Sequence, residues 1–390
     1  MLLRWQGSDA SLKPVLLTGH YDVVPVIPGT EEDWTHPPFD GVVADGIVWG
    51  RGALDDKSAV VAQLEAAAAI LAKGFKPRRT IYFSFGHDEE VGGRRGAGGV
   101  VELLKLQGVS LDWSLDEGSF LMDGMMDGIE PLIAPINVAE KGYLTLEIVA
   151  RGDGGHSSMP PAQTAVGVLA EAISKLEASP LPGGLDGVSG EMFDAISRHM
   201  DFTYRIAFAN RWLFNSVLED QLDNTTFGNA MLRTTTAPTM LSGSIKANVL
   251  PIEAIAIVNF RLHPRDSVEG VINHVKRAVS HDKVEVRTAN NEPGGGASKV
   301  SDWTSPGFSV IGRSVREIYP SSVIVPGIMI AASDTRHYGQ IADNSFRFNP
   351  IIVTPEVMTG FHGTDERIPV EHLVNAVRIY MRILEHAGGG

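Results

Sequence analysis

The sequence predicts an α/β protein with a mainly parallel sheet, interrupted by a smaller inserted α+β domain. Three observations carry this expectation. Short apolar runs alternate with helix-like segments over the first third of the chain. Near Lys141 the pattern changes to period-two strands flanking helices, and it reverts after residue 290. Five carboxylate and histidine clusters, GHYD (19–22), GRGALDDK (50–57), HDEE (87–90), LDEG (115–118) and FHG (361–363), lie beside apolar runs or just before a helix. An α/β sheet presents its reactive groups at such places, outside the carboxyl ends of its strands.

Taken in order, residues 2–5 read as an edge strand followed by a turn at Gly7-Ser8-Asp9. Residues 15–18 form a short apolar strand ending at Gly19-His20, and 47–49 another ending at Gly50. Residues 57–73, rich in Ala, Leu and Val, make a strong helix stopped by Gly74. Residues 80–85 alternate β-branched and aromatic side chains as a strand ending at Gly86-His87. A helix over 99–107 closes at Gly108, and a strand over 113–115 ends at Asp116. Beyond Lys141, residues 143–150 form a strand, 154–158 a loop, and Pro160-Pro161 open a helix to about residue 178. Residues 191–222 read as irregular helix, 239–244 and 255–262 as strands, 268–280 as helix and 284–287 as strand. Residues 290–297, with Pro293 and three glycines, are the expected return linker. The α/β pattern then runs to a last helix over 370–386, and Gly388-Gly389-Gly390 is expected to fray. The domains are thus 1–141 and 290–390 around an insertion of 142–289.

Composition narrows the function classes. At 390 residues, 43% hydrophobic and 21% charged, the chain suits a globular protein of two domains. A formal net charge of -14 argues against nucleic acid, which needs a basic face. It leaves anionic substrates open, because divalent ions and a few arginines reverse the field locally. There are no cysteines, so any metal must be held by His, Asp and Glu. No apolar run reaches the roughly 18 residues of a membrane span. Residues 1–7 are too short and too quickly polar for a signal peptide, and the compartment stays unknown.

The clusters have two readings each. His20 and Asp22 share one side of an extended segment. His20 either ligates a metal while Asp22 holds its other ring nitrogen, or is a loop histidine satisfied by its neighbour. Asp55 and Asp56 either cap the following helix or offer a carboxylate that bridges two ions. Glu89 and Glu90 are either a solvated acidic loop or a base beside a ligand. Asp116 follows a strand, and Glu117 reads as an outward-facing loop residue. His362, like His156, His263 and His337, is by itself ordinary. The shared placement at strand ends is what makes the set specific.

With those residues in view, the chain resembles the co-catalytic zinc aminoacylase/carboxypeptidase family, peptidase family M20. Within it the chain is most similar to the branch of carboxypeptidase S and the N-fatty-acyl-amino-acid hydrolases. The matching stretches are GHYDVVP (19–25), GRGALDDKS (50–58), GHDEEVGG (86–93), LDEGSF (115–120), EKGYLTLEI (140–148), GHSSMPP (155–161), RTTTAPT (233–239), KANVLP (246–251), NFRLHP (259–264), SDTRHY (333–338) and FHGTDERI (361–368).

The resemblance implies a zinc-hydrolase catalytic domain with an inserted lid that dimerises in many members, so a homodimer through that domain is a further expectation. It implies two Zn2+ ions, with Co2+ or Mn2+ as substitutes. His20 and Asp116 would bind one, Glu90 and His362 the other, and Asp55 would bridge them. Glu89 would be the general base and Asp22 would orient His20. The Asp55–Asp56 peptide bond would be cis. His156 would stabilise the oxyanion, and Asn248 and Arg261 would grip the substrate carboxylate, with Arg336 near it.

Two departures stand out. Relatives carry a further segment ahead of residues 2–5, so this chain is either trimmed or a short variant with one sheet face less covered. Ser333-Asp334-Thr335-Arg336 stands where many relatives have a Gly-Thr-Asp-Ser-Arg-like turn; it keeps the Asp and Arg but changes the neighbours, so a different substrate-end preference is an expectation.

The implied activity is cleavage of an N-acyl-amino acid to a carboxylic acid and a free amino acid. A di- or tripeptide carboxypeptidase is the alternative, and an inactive binder of metal or acyl-amino acid the reading from another class. Trp212, Leu213, Phe214 and Phe227 are either an apolar acyl pocket or core of the inserted domain, the latter being favoured.

Overall fold

The computed structural model describes residues 1–126, 128–289 and 294–389. The chain divides into two compact units. Met1–Ala139, Gly187–Arg211 and Val300–Gly390 form the first, and Glu140–Asp186 with Trp212–Lys299 the second.

The first unit is built on a nine-stranded mixed, mainly parallel sheet. Four parallel strands make its centre: Ile81–Gly86, Val15–His20, Leu111–Asp116 and Ala342–Arg347. Leu2–Trp5 closes one edge, antiparallel to Ile81–Gly86, as the edge-strand reading expects. Leu16 and Tyr82 pack with Ala97, Val101 and Leu104 of the helix Ala97–Leu106. Their chain neighbours Val15, Leu17, Ile81 and Phe83 are equally buried, so both faces of these strands are covered. On the helix Lys57–Ala72, one side meets Val15–His20 and another the helix Val370–Gly389. Because the central strands run parallel, His20, Gly86 and Asp116 all finish at the same end of the sheet.

A small three-stranded sheet of Val42–Ala44, Ile47–Trp49 and Arg367–Pro369 also belongs to the first unit. Its hairpin turns at Asp45-Gly46 with φ of 51° and 76°. Positive φ at both central residues matches the right-handed twist of the flanking strands, which suits an Asp-Gly pair. Pairing of Ile368 with Val48 brings the FHGTDERI segment to the start of the GRGALDDK loop.

The second unit is a four-stranded antiparallel sheet in the order Thr235–Ser242, Glu253–Leu262, Gly142–Arg151, Val284–Thr288. Alternate residues Leu144, Leu146, Ile148 and Ala150 meet Ala254, Ala256, Val258 and Phe260 in one core with the helices Ala165–Glu177 and Val268–Ala278. Strict alternation along Glu253–Leu262 is the signature of a sheet with one buried face. Thr164 and Ser267 cap the two helices, accepting from the N–H groups of Gly167 and Gly270. The first helix therefore begins at Ala165, and Pro160 and Pro161 precede it rather than open it.

Four details differ from the sequence expectation. Residues 187–211 group with the first unit, because the helix Gly187–Ser197 packs on the strand Val323–Met329 and Phe193 stacks on Phe208. The return from the second unit falls at Lys299, since Gly295 exchanges two backbone hydrogen bonds with Tyr143. Residues 290–293 of the expected linker lie outside the described residues. Trp212 is 84% exposed and Leu213 58%, so neither is core. Gly388 is buried and its carbonyl accepts the Arg78 N–H at 2.7 Å, so the last helix does not fray there. Among the described residues, no helix is long and apolar enough to cross a membrane.

Candidate metal centre

His20 ends its strand fully enclosed. Its Nε2 lies 3.0 Å from Asp55 Oδ1 and its Nδ1 3.1 Å from the backbone oxygen of Asp22. The Asp22 carboxylate is farther, with Oδ1 3.4 Å from Nδ1, while Oδ2 accepts the Glu90 N–H at 3.2 Å. Asp22 thus touches both His20 and the acidic turn, and its backbone makes the shorter contact to the ring.

Asp55 faces two imidazoles at once, since Oδ2 lies 2.8 Å from Nε2 of His362. Two groups follow that could each hold a metal ion: His20, Asp55 and Glu117, and Asp55, Glu90 and His362. Asp55 is common to both. The peptide bond between Asp55 and Asp56 is cis.

Asp56 does not cap the helix with its side chain. Its Oδ2 accepts the His20 N–H at 3.3 Å and its Oδ1 the Asn349 Nδ2 at 3.0 Å. A Cβ on Gly19 would come within 2.6 Å of Asp56 Oδ2, so this approach needs the glycine.

Asp116, expected to bind an ion, is not in either of the two groups that could hold one. Its Oδ2 accepts from the Thr335 hydroxyl at 2.8 Å and its Oδ1 from the Glu117 N–H at 2.9 Å, so both oxygens serve the loop. Glu117, read from sequence as outward-facing, is only 8% exposed and is the carboxylate brought to His20 and Asp55. The strand turns just after Asp116, and the side chain one residue later points back toward the cluster. Adjacent acids in LDEG give no sequence signal for choosing between them.

Glu89 sits in the turn after the Ile81–Gly86 strand, and its Oε1 receives Nη2 of Arg336 at 3.2 Å. Arg336 also donates Nε to the Ser333 carbonyl. The structure therefore engages Arg336 with the acidic turn. Asp334, which the sequence reading left without a role, is buried with neither carboxylate oxygen hydrogen-bonded. In the second unit, His156 and Asn248 come together: the ribbon Gly155–His156 pairs with Val249–Leu250, and Ser157 donates its N–H to the Asn248 carbonyl. The exposed His156 ring holds Ser158 through Nδ1. Arg261 lies on the four-stranded sheet, its guanidinium 5.0 Å from the Tyr143 ring centre.

The electrostatics favour a cation. Burial pushes Asp56 and Glu117 well above the usual carboxylate range, and the neighbouring acids push them further. Burial likewise raises Glu89 to about 7 and Asp334 to about 8, with Asp116 adding to both. Burial works against a charged His20, but Asp55, Asp56 and Glu117 outweigh it and hold the ring protonated up to about 12. Burial opposes ionisation of Asp55 too, yet the two histidines bring it down to about 2. Glu90 Oε1 is buried without a hydrogen-bond partner. Crowded carboxylates, an orphaned carboxylate oxygen and two imidazoles are a donor set that fits divalent metal ions.

These shifts predict the pH response of the metal-free protein. Glu89 and Asp334 hold protons more tightly folded than unfolded, so their effect on stability becomes unfavourable as pH rises toward about 7 and about 8. The stabilisation from charged His20 is complete below its ordinary value near 6.5 and fades as pH climbs toward about 12. All three act in one direction. With chelator present, the melting temperature is expected to fall between about pH 5 and about pH 8, and metal loading should flatten the slope. A chelated protein that melts higher at the alkaline end would contradict this account.

A model of peptidase family M20/M25/M40 matches residues 16–386. "Probable carboxypeptidase S-like 2" of Dictyostelium discoideum is 39% identical over 99% of this chain and 74% of its own length. "N-fatty-acyl-amino acid synthase/hydrolase PM20D1" of Mus musculus is 38% identical over 98% of this chain and 76% of its own. Among solved structures, an M20 family metallo-carboxypeptidase from Sulfolobus solfataricus aligns with a TM-score of 0.71 at 18% identity, covering 100% of this chain and 88% of that one. Fold, acidic-histidine cluster and relatives together define a hydrolase acting on amide or peptide bonds, of a metal-dependent type. The chain belongs to peptidase family M20/M25/M40.

Proposed function

We propose that the protein is a two-zinc amidohydrolase that cleaves N-acyl-amino acids to a carboxylic acid and a free amino acid. The observation that carries the two-ion reading is Asp55, with one carboxylate oxygen on each of two imidazoles. In this reading His20, Asp55 and Glu117 would hold one ion and Asp55, Glu90 and His362 the other. When bound, the ions polarise the acyl carbonyl and lower the pKa of water.

Glu89 does the proton transfer. Its carboxyl, raised by burial to about 7, accepts a proton from the attacking water near neutral pH. The water oxygen bonds to the acyl carbon, the C–N bond breaks, and Glu89 returns the proton to the departing nitrogen. Arg336 steadies Glu89 through their contact and opposes the rise in its pKa. Asp22 fixes the His20 ring and the Glu90 backbone together. His156 is assigned to the oxyanion, and Asn248 and Arg261 to the substrate carboxylate, for which a planar guanidinium is the matched partner.

The names of the relatives support an acyl-amino acid, and the exposed Trp212 and Leu213 offer apolar surface for an acyl chain. Carboxypeptidase names among the relatives favour a second reading, a di- or tripeptide carboxypeptidase. A panel comparing long-chain acyl-amino acids with Gly-X dipeptides separates the two. The first reading expects the acyl series to have the higher kcat/KM. Preference for the dipeptides would reverse it.

The insertion, 142–289 by sequence, is proposed to act as a lid and to dimerise. The edge strand Thr235–Ser242 exposes Met240 and Leu241, with Ile245 just beyond it. Such an edge invites pairing with a second copy. Sedimentation is expected to give twice the chain mass, and Leu241→Lys to halve it. A wild-type monomer at micromolar concentration excludes the dimer.

A further inference from the structure

We propose that the buried Arg51–Glu366 ion pair positions the Asp55 and His362 half of the metal centre, an inference that rests on the two-metal reading above. Glu366 is fully buried. Its Oε1 accepts the backbone N–H groups of Leu54 at 2.7 Å and Asp55 at 3.0 Å. Its Oε2 accepts Arg51 Nη1 at 2.6 Å and the Gly52 N–H at 3.0 Å. A carboxylate has about four lone-pair sites, and here each has a donor.

Arg51 carries the link onward. Its Nη2 donates to the Gly363 carbonyl at 2.8 Å and approaches the His362 carbonyl at 3.4 Å. One ion pair therefore ties the backbone immediately before Asp55 to the backbone of His362. Those are the two residues whose side chains meet at 2.8 Å. His362 itself has φ of 57°, a left-handed conformation that a non-glycine residue keeps only when its surroundings hold it. Among the described residues, the side-chain hydrogen bonds of this pair run, beyond the pair itself, to Gly52, Leu54, Asp55, His362 and Gly363, and none reaches His20 or Glu117.

A buried ion pair is poor evidence of stability by itself, because removing two charges from water offsets their attraction. Its use here is geometric. Groups behind metal ligands that fix their orientation typically change affinity by roughly 10–100-fold when altered. Arg51→Lys is the informative substitution. A lysine can still pair with Glu366, but one ammonium lacks the planar fork that reaches Glu366 and the carbonyls together.

The test is a Co2+ titration of the apoprotein followed by visible absorption, with wild type, Arg51→Lys, Glu366→Gln and Arg79→Lys side by side. Arg79 pairs with Asp112 away from the cluster, so its variant measures the effect of a weakened ion pair elsewhere. The expected result is that Arg51→Lys keeps its circular dichroism and that the Co2+ sharing Asp55 but not His362 weakens less than the other. That other Co2+ weakens by roughly 10–100-fold with an altered absorption band. Its kcat should fall at least about tenfold while KM stays within about threefold, as for an interaction that acts on the reacting groups alone. Glu366→Gln leaves Arg51 unpaired and is expected to fold poorly, so Arg51→Lys decides the question.

Arg51→Lys that binds both ions with wild-type affinity and spectrum overturns the proposal, and so does an equal loss in Arg79→Lys. Wild type that takes up two Co2+ and hydrolyses no amide sinks the functional reading while the positioning role stands on the titration. Wild type that hydrolyses amides beside an unaffected Arg51→Lys overturns the positioning role alone.

Discussion

Glu89→Ala is expected to lower kcat by roughly 100- to 10,000-fold, the usual contribution of a positioned general base. That range corresponds to about 3–5 kcal/mol of transition-state free energy. Metal content should stay at the wild-type level, because Glu89 belongs to neither of the two ligand groups. Its carboxylate is held by Arg336 instead. Glu89→Gln should behave alike, since it keeps the volume and the Arg336 contact but cannot take a proton. Measuring kcat and bound metal on the same sample separates loss of a base from loss of a ligand. Activity within tenfold of wild type in metal-loaded Glu89→Ala would falsify the assignment.

The second large effect is at LDEG. Glu117→Ala should weaken one metal ion by more than the roughly 100-fold upper range for groups behind a ligand, because it deletes a ligand atom. Turnover should fall with it. Asp116→Asn should load metal normally and stay within a fewfold of wild-type activity. An asparagine can still accept the Glu117 N–H and meet the Thr335 hydroxyl, which are the bonds Asp116 makes. If Asp116→Asn loses the metal and Glu117→Ala keeps it, the ligand set drawn from the structure is wrong and the sequence expectation is right.

Much of the architecture is legible in the chain because its signals are local. The helix Lys57–Ala72, the strands Val15–His20 and Ile81–Gly86, and the alternating strand Gly142–Arg151 follow from apolar periodicity and their glycine stops. The segment 187–211 was not legible. Its helices look like a continuation of the insertion, and only their packing on Val323–Met329 assigns them to the first unit. Glu366 was equally silent. It stands in the FHGTDERI stretch, yet its role depends on pairing of Arg367–Pro369 with Ile47–Trp49, two segments more than 300 residues apart.

By itself the sequence determined the family, the mainly parallel sheet and the set of acids and imidazoles at strand ends. Those rest on residue type and spacing, which a chain carries whether or not it is folded. Only the tertiary structure decided which carboxylates converge. Glu117 turns inward where Asp116 was expected, Asp56 braces His20 rather than capping a helix, and Arg336 meets Glu89. Neighbouring acids are chemically equivalent in a sequence. They are distinguished by the direction of each Cα–Cβ bond at the end of a strand and by which donors the rest of the fold has already aimed at them.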